Sequence, residues 1–139
     1  GVAYGLGYGD NTAAMLMTRG LAEMSRLTVK CGGQAITCMG LAGAGDLIAT
    51  CTSEHSRNRS FGVAFAGGTS LDEYQQRSHM VVEGAAAARS VSELARELGV
   101  DAPLTFALER TLYHGGTLAE ALELLTDRFP TQEFYGMDD

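Results

Sequence analysis

The sequence predicts an all-α domain built as a helical bundle, and three observations support this prediction. Apolar residues recur at spacings of three and four along several segments, which places them on one face of a helix. Glycine-rich or polar stretches that carry helix start and stop signals separate these segments. No paired strand pattern and no internal repeat is visible in the chain.

The helix boundaries follow from capping chemistry. Asp10 or Asn11 is expected to cap the first long helix, because both side chains accept hydrogen bonds from free amides. Capping boxes begin at Ser70 and Thr117, and Asp101 followed by Pro103 marks another start. Glycines are expected to end most helices. The predicted helices cover residues 12–30, 34–41, 56–66 and 83–98, with others starting near residues 70, 103 and 117, and an extended crossing at 79–82.

The expected core faces come from the same periodicity. The helix over residues 83–98 is alanine-rich and carries one apolar stripe, and the helix that starts near residue 103 carries another. These two stripes are expected to pack into the core: Val91, Leu94, Ala95 and Leu98 on the first helix, and Leu104, Ala107, Leu108 and Leu112 on the second.

The composition bounds the function. A length of 139 residues fits one domain, and 45% hydrophobic residues suffice for a core. Residues 1–128 are expected to form this domain and residues 129–139 a tail. A formal net charge of −7 argues against nucleic acid or an anionic membrane surface as the main partner. No apolar run approaches the roughly 18 residues of a membrane span, and no signal-peptide pattern opens the chain.

The cysteines do not indicate a metal site. Cys31, Cys38 and Cys51 form no CxxC pair, and no histidine lies at zinc-ligand spacing from them. We therefore expect no bound metal and interpret the three as buried free thiols of a reducing, cytoplasmic protein. A nucleophilic Cys51 would require a base, and His55 is the only local candidate.

The segment over residues 40–62, GLAGAGDLIATCTSEHSRNRSFG, carries the candidate site. Asp46 and Thr50 lie one helical turn apart on the same face. Arg57 would stand beside the free amides at the start of the next helix, an arrangement that binds phosphate or carboxylate groups. A glycine turn followed by a solvated, capped helix explains the same residues without any ligand.

This segment resembles the substrate-domain signature of the bacterial NAD(P)-dependent glycerol-3-phosphate dehydrogenases. The segment over residues 5–27, GLGYGDNTAAMLMTRGLAEMSRL, resembles the part of the family that follows its catalytic lysine. The VVEG of residues 81–84 matches the position of the family's nucleotide-contacting glutamate. The resemblance runs from Gly1 to about Arg128, in the family's order.

The resemblance implies a fold, a reaction and partners. The fold would be the helical bundle of the 6-phosphogluconate dehydrogenase C-terminal type. The reaction is the interconversion of dihydroxyacetone phosphate and sn-glycerol 3-phosphate with NAD(P)H, which supplies glycerophospholipid precursors. NAD or NADP would be held mainly by an N-terminal Rossmann domain that this chain lacks. A homodimer is expected. The catalytic lysine would also precede this chain, whose one lysine is Lys30, so the chain alone is expected to be inactive.

The resemblance also implies residue roles, each with a plainer alternative. Asp46 would orient the lysine and the substrate hydroxyls, or be a helix cap. Thr50 would bond substrate, or its own helix backbone. Arg57 would bind the phosphate and touch the cofactor, or be a surface arginine. Beside it, Ser56 and Asn58 would contact substrate or cap the helix, while Val81 and Glu83 would contact the nucleotide, Glu83 being otherwise a first-turn acid.

Two other functions remain open from the sequence. One is the substrate domain of a related 3-hydroxyacid or 6-phosphogluconate dehydrogenase, although these need other site motifs. The other is a non-catalytic helical dimerisation or binding module. A βαβ unit with a GxGxxG loop encoded upstream would identify an enzyme.

Overall fold

The computed structural model describes residues 1–126, and the regular secondary structure in this part of the chain is helical, without a strand. The prediction of an all-α domain is confirmed. A five-residue π-helical turn, Leu41–Gly45, precedes the fourth helix. The α-helices are α1 (Val2–Gly5), α2 (Asp10–Lys30), α3 (Ala35–Cys38), α4 (Asp46–Thr52), α5 (Arg57–Ala66), α6 (Leu71–Ser78), α7 (Glu83–Glu97), α8 (Pro103–Tyr113) and α9 (Leu118–Thr126).

The longest helix, α2, starts earlier than predicted. Gly9 is its N-cap residue and no side chain caps it, so the prediction that Asp10 or Asn11 caps this helix is wrong. Asp10 is already helical, and its Oδ1 accepts a hydrogen bond of 3.3 Å from the Tyr4 hydroxyl. The end is as predicted, because α2 stops at Lys30 and Gly32 follows with a φ of 85°.

Most other helix boundaries are set by residues only a few positions apart, and these boundaries match the prediction. The capping box from Ser70 to Glu73 is formed in full, and Thr117 and Glu120 exchange the corresponding hydrogen bonds. At the end of α6, His79 takes a left-handed φ of 53°, so the expected extended crossing begins only after it. Glycines with positive φ follow α2, α5, α7 and α8: Gly32, Gly68, Gly99 and Gly115.

The core lies mainly between α5, α7 and α8. One cluster surrounds Phe61 and Val82, and a second surrounds Ala95 and Ala102. The predicted stripe on α7 is only partly right, because Leu94 is 38% exposed. The buried residues of α7 are instead small, which lets α8 approach closely. They are Ala85, Ala88, Ser92 and Ala95.

The buried residues of α8 also differ from the predicted ones. Ala107 is buried as predicted, but Leu108 is 37% exposed, while Glu109 and Thr111 are buried. The helix begins at Pro103, as expected. Asp101 does not cap it, because the N-cap position belongs to the next residue and carries no side-chain hydrogen bond.

Close contacts at glycines position the helices around the site. A Cβ on Gly43, within the π-helical turn, would lie 2.1 Å from the carbonyl oxygen of Cys38, so only glycine fits there. A Cβ on Gly62 of α5 would lie 2.7 Å from the backbone nitrogen of Val2. The backbones of α1 and α5 are therefore in direct contact.

Two earlier predictions fall partly outside the described residues. The boundary at residue 128 and the tail over residues 129–139 lie beyond residue 126, where the description ends. Among the helices within residues 1–126, none combines the length and apolar character that crossing a bilayer requires.

Candidate functional site

A cleft of about 380 Å³ opens where the end of α4, the loop after it and the starts of α5 and α7 meet. It contains four of the residues predicted from the sequence to bind substrate, and one of those predicted to contact cofactor only. The side chains that line it belong to Ala49, Thr50, Ser53, His55, Ser56, Arg57, Asn58 and Glu83.

The start of α5 supplies backbone donors to this cleft. Ser56 is the N-cap residue, and its Oγ accepts a hydrogen bond of 3.2 Å from the amide of Arg59. Ser60 N donates to the carbonyl oxygen of Ser56. The remaining first-turn amides, of Arg57 and Asn58, have no acceptor within the helix. Ser56 therefore caps the helix, as the plainer alternative held, and the two free amides can receive an anion.

Asn58 joins the starts of α5 and α7. Its Oδ1 accepts a hydrogen bond of 3.0 Å from the backbone amide of Gly84. A Cβ on Gly84 would lie 2.8 Å from this oxygen, so the contact depends on glycine at that position. Since Oδ1 is engaged, Nδ2 is the group of Asn58 that remains to donate to a ligand.

Arg57 and Glu83 face each other across the cleft. Arg57 Nη2 lies 3.9 Å from Glu83 Oε1, and the two side chains are 51% and 77% exposed. An exposed ion pair of this length contributes between zero and about 1 kcal/mol. A phosphate dianion can therefore displace Glu83 from the guanidinium at little cost.

Asp46 and Val81 do not line the cleft. Asp46 is the first residue of α4 and is exposed, one turn before Thr50. Gly45 holds the N-cap position of α4, so Asp46 is not the cap that the plainer alternative required. Val81 is 60% exposed just before Glu83. The hydroxyl of Thr50 makes no bond to its own helix among residues 1–126, which leaves it available in the cleft.

The π-helical turn places Asp46. This turn, Leu41–Gly45, passes directly into α4. Single π-helical turns occur often at functional sites, because the extra residue redirects the side chains that follow. The glycines of the segment indicated a tight turn, but its π-helical form was not predicted.

Sequence reasoning missed two features near the site. His55 lines the cleft. From the sequence it was named only as the base that a nucleophilic Cys51 would require. The sequence prediction assigned no role in the site to Arg59. Its guanidinium instead lies 4.9 Å from the centre of the Tyr4 ring, and its Nε is buried without a hydrogen-bond partner in the described part of the chain.

The thiol beside Thr50 is not activated. Burial raises the pKa of Cys51. A raised pKa keeps the thiol protonated, which disfavours a nucleophilic role. Of the three thiols predicted to be buried, Cys38 is buried, Cys51 is partly buried and Cys31 is exposed, so the prediction is wrong for Cys31. Within the described residues, no three His, Cys, Asp or Glu side chains are grouped to hold a metal ion.

Comparison with known proteins gives a consistent result. The family described as NAD-dependent glycerol-3-phosphate dehydrogenase C-terminus matches residues 1–123. A glycerol-3-phosphate dehydrogenase (NAD(P)+) of Chlorobium limicola is 46% identical over 135 residues, covering 97% of this chain and 40% of the relative. One of Staphylococcus aureus is 48% identical over 128 residues, covering 92% of this chain and 39% of the relative.

A solved structure shows the same fold. The crystal structure of glycerol-3-phosphate dehydrogenase from Coxiella burnetii superposes with a TM-score of 0.87 at 41% sequence identity. The match covers 91% of this chain and 39% of that one. The chain thus spans about 40% of the length of the curated relatives it matches.

Proposed function

The chain belongs to the NAD-dependent glycerol-3-phosphate dehydrogenase family, whose C-terminal part it matches, and on this premise we propose that it binds the substrate of such an enzyme. The proposed reaction interconverts dihydroxyacetone phosphate and sn-glycerol 3-phosphate with NAD(P)H. The observation that supports this most directly is the cleft at the start of α5, where Arg57 and two free amides meet.

The phosphate is bound by Arg57 and the first turn of α5. A guanidinium offers a planar fork of donors that matches two phosphate oxygens, and the helix dipole adds a partial positive charge. Asn58 Nδ2 adds a neutral donor, because its oxygen is held by Gly84. Arg57 exchanges its long contact with Glu83 for the phosphate.

Asp46 and Thr50 act at the other end of the substrate. Thr50 lines the cleft, and Asp46 lies one turn earlier on the same face of α4, beyond the cleft lining. A substrate that extends past Thr50 would bring its hydroxyl groups toward this carboxylate. Reduction of a ketone requires a proton donor for the developing alkoxide. Lys30 is exposed at the end of α2, so we assign the donor lysine to a segment outside these 139 residues, with Asp46 as its ionised partner.

The nicotinamide cofactor, when bound, supplies or accepts the hydride. Residues 1–126 contain no strand and hence no parallel sheet that could hold a dinucleotide. Arg57 and Glu83 line the cleft with exposed side chains, and Val81, two residues before Glu83, is exposed as well, which fits a contributing contact. These residues therefore complete a cofactor site that another domain provides, and the chain alone is inactive.

The proposal extends to partners and compartment. A nucleotide-binding domain and a second copy of this chain are the proposed protein partners. Two exposed apolar side chains support a protein contact on the side of α3: Ile36 is 71% and Leu41 is 90% exposed. Three free cysteines support a reducing, cytoplasmic setting.

The first prediction tests the phosphate assignment. Arg57→Lys replaces the fork by a point charge, so binding of sn-glycerol 3-phosphate should weaken by about 1.5–3 kcal/mol, the range for hydrogen bonds to charged groups. Binding is measured by NMR chemical-shift titration of the chain. Glycerol, which lacks the phosphate, should bind the wild type and the variant equally.

The matched control is Arg77→Lys, an exposed arginine in the last turn of α6. Arg59 cannot serve as this control, because its contact with Tyr4 makes any substitution a change of packing. Equal effects of the lysine variants at positions 57 and 77 would disprove the phosphate assignment.

A chimera distinguishes an enzyme from a non-catalytic binding module. In it, this chain replaces the matching 40% of the Chlorobium limicola relative. The proposal expects oxidation of NAD(P)H in the presence of dihydroxyacetone phosphate. A folded chimera that binds sn-glycerol 3-phosphate without turnover would favour the non-catalytic alternative.

A further inference from the structure

The side chains that line the cleft carry a balanced charge when its histidine is neutral. Arg57 contributes one positive charge and Glu83 one negative charge, and the two lie 3.9 Å apart. Among residues 1–126, no other arginine, lysine, aspartate or glutamate lines the cleft. A phosphate dianion entering it would therefore face no net positive charge from side chains. The remaining titratable side chain there is His55.

The backbone around His55 is fixed in place. His55 N donates a hydrogen bond of 3.2 Å to Ser53 Oγ, and Ser56 N donates to the carbonyl oxygen of Ser53. Ser60 Oγ donates to the carbonyl oxygen of Glu54. These bonds hold the backbone of the loop between α4 and α5, which carries the exposed imidazole into the cleft lining.

The imidazole itself is uncommitted. Neither ring nitrogen of His55 has a hydrogen bond or an ion pair within the described residues. Histidine is the side chain whose charge ordinarily changes between about pH 5 and 8. A protonated ring would turn the balanced cleft into one with a net positive charge, close to the free amides of α5.

We propose that His55 is a second, pH-dependent cation of the phosphate-binding cleft, so that the affinity for a dianionic ligand increases as the pH falls. The inference rests on the proposed function, since it assumes that Arg57 and the start of α5 bind a phosphate group. It adds a specificity-determining residue: a dianion gains from His55 protonation and an uncharged ligand does not.

Several other charged or titratable groups lie around His55. Glu54 precedes it in the same loop and Arg57 follows it. From α7, Glu83 faces the cleft, and α4 contributes the thiol of Cys51 and, one turn earlier, Asp46. Glu54, Glu83 and Asp46 are exposed carboxylates that the wild type and the His55 variant share, so they cancel in the comparison of the two. The pH dependence is therefore assigned to His55.

The test measures sulfate binding by the chain, because sulfate remains a dianion throughout the range and phosphate does not. NMR titrations at constant ionic strength compare about pH 8 with about pH 5.5, on either side of the ordinary histidine pKa of about 6.5. The wild type should bind sulfate at least several-fold more tightly at the lower pH, because a positive charge beside a dianion is attractive even in water. His55→Gln should show the same affinity at both values.

The matched control is His79→Asn, which removes an exposed imidazole that does not line the cleft and keeps a residue tolerant of the left-handed backbone there. It should retain the wild-type pH dependence. Loss of the pH dependence in His79→Asn, or its retention in His55→Gln, overturns the inference.

A third variant distinguishes an error in the role of His55 from an error in the proposed phosphate-binding function. Arg57→Gln should weaken sulfate binding at both pH values. If it does so while His55→Gln keeps the wild-type pH dependence, only the role of His55 is overturned. If Arg57→Gln binds sulfate like the wild type, or the wild type binds none at the lower pH, the phosphate assignment is overturned as well.

Discussion

At the scale of single residues, a buried carboxylate pairs with an arginine between α7 and α8. Glu109 is 4% exposed, and its carboxylate accepts two hydrogen bonds from Arg96, of 3.3 and 2.5 Å. His114 Nε2 lies 3.6 Å from the same carboxylate. The Arg96 guanidinium holds the pKa of Glu109 below its ordinary range, and burial opposes this only in part.

The second prediction follows from that pKa. A carboxyl whose pKa is lowered by folding contributes stability above its unfolded pKa of about 4.3, and this contribution is lost as the pH falls through the folded pKa. Glu109→Gln keeps the shape but removes the charge. The variant should be less stable than the wild type at about pH 7, and this difference should shrink below about pH 4.

Urea unfolding followed by circular dichroism measures this difference at both pH values. Glu97→Gln, an exposed position at the end of α7, is the control and should show no such difference. The capping carboxylates Glu73 and Glu120 also have lowered pKa values, but they are present in all variants and cancel in the comparison. If the free energies of unfolding of Glu109→Gln and the wild type differ by the same amount at both pH values, the lowered pKa of Glu109 is contradicted.

At the scale of elements, one hydrogen bond sets how the starts of α5 and α7 lie at the cleft. The amide of Gly84 donates to Asn58 Oδ1, and this bond fixes which atom of Asn58 is left for a ligand. The segment before it adopts a left-handed turn at His79, which redirects the chain into α7. Ligand binding should therefore depend on this bond more than stability does.

The third prediction is that Gly84→Ala separates these two effects. The new Cβ would lie 2.8 Å from Asn58 Oδ1, so the side chain must turn away and lose its bond. That loss costs about 0.5–1.5 kcal/mol, while alanine in place of glycine gains up to about 1 kcal/mol in a helix. Stability should change by less than about 1 kcal/mol, while sulfate affinity falls several-fold.

Gly20→Ala is the matched control. A Cβ on Gly20, inside α2, would meet only Leu104 at an ordinary 3.6 Å. This variant should gain up to about 1 kcal/mol of stability and keep the wild-type affinity for sulfate. Unchanged sulfate binding in Gly84→Ala would show that Asn58 does not need its bond to α7.

At the scale of the whole molecule, α2 and α8 are joined by a buried carboxylate. Glu23 is 3% exposed and accepts hydrogen bonds from Leu104 N at 2.6 Å, Thr105 N at 3.0 Å and Thr105 Oγ1 at 2.8 Å. It thereby caps α8 from a helix about 80 residues earlier in the chain. Burial raises the pKa of Glu23, and the three hydrogen bonds oppose this rise only in part.

The fourth prediction concerns this cap. Glu23→Gln turns one acceptor oxygen into a donor, which leaves a buried amide unpaired and should lower the free energy of unfolding by about 1–3 kcal/mol. A pKa that is raised on folding contributes stability below the unfolded pKa, which is lost as the pH rises through the folded pKa. The difference in the free energy of unfolding between the wild type and Glu23→Gln should therefore increase as the pH falls.

This pH dependence is opposite in sign to that of Glu109→Gln, so the two variants test each other in the same urea experiment. Glu97→Gln again serves as the exposed control. If the difference in the free energy of unfolding between the wild type and Glu23→Gln decreases at low pH, the hydrogen bonds of Glu23 affect its pKa more than its burial does.

The sequence by itself determined the local features. Helix periodicity, the capping boxes at Ser70 and Thr117, and the glycines that end helices depend on residues only a few positions apart. The position of the cleft could also be predicted from the sequence, because four of its lining residues are close in sequence: Thr50, Ser56, Arg57 and Asn58. Their roles as ligands remain predictions.

Only the tertiary structure decided which helix faces are buried and which groups pair. Leu94 and Leu108 are partly exposed, while Ser92 and Glu109 lie inside, because small or paired residues allow α7 and α8 to approach. The cap of α8 comes from Glu23 rather than from Asp101 beside it. Such choices depend on contacts between residues 13 to 82 positions apart, which local sequence patterns do not encode.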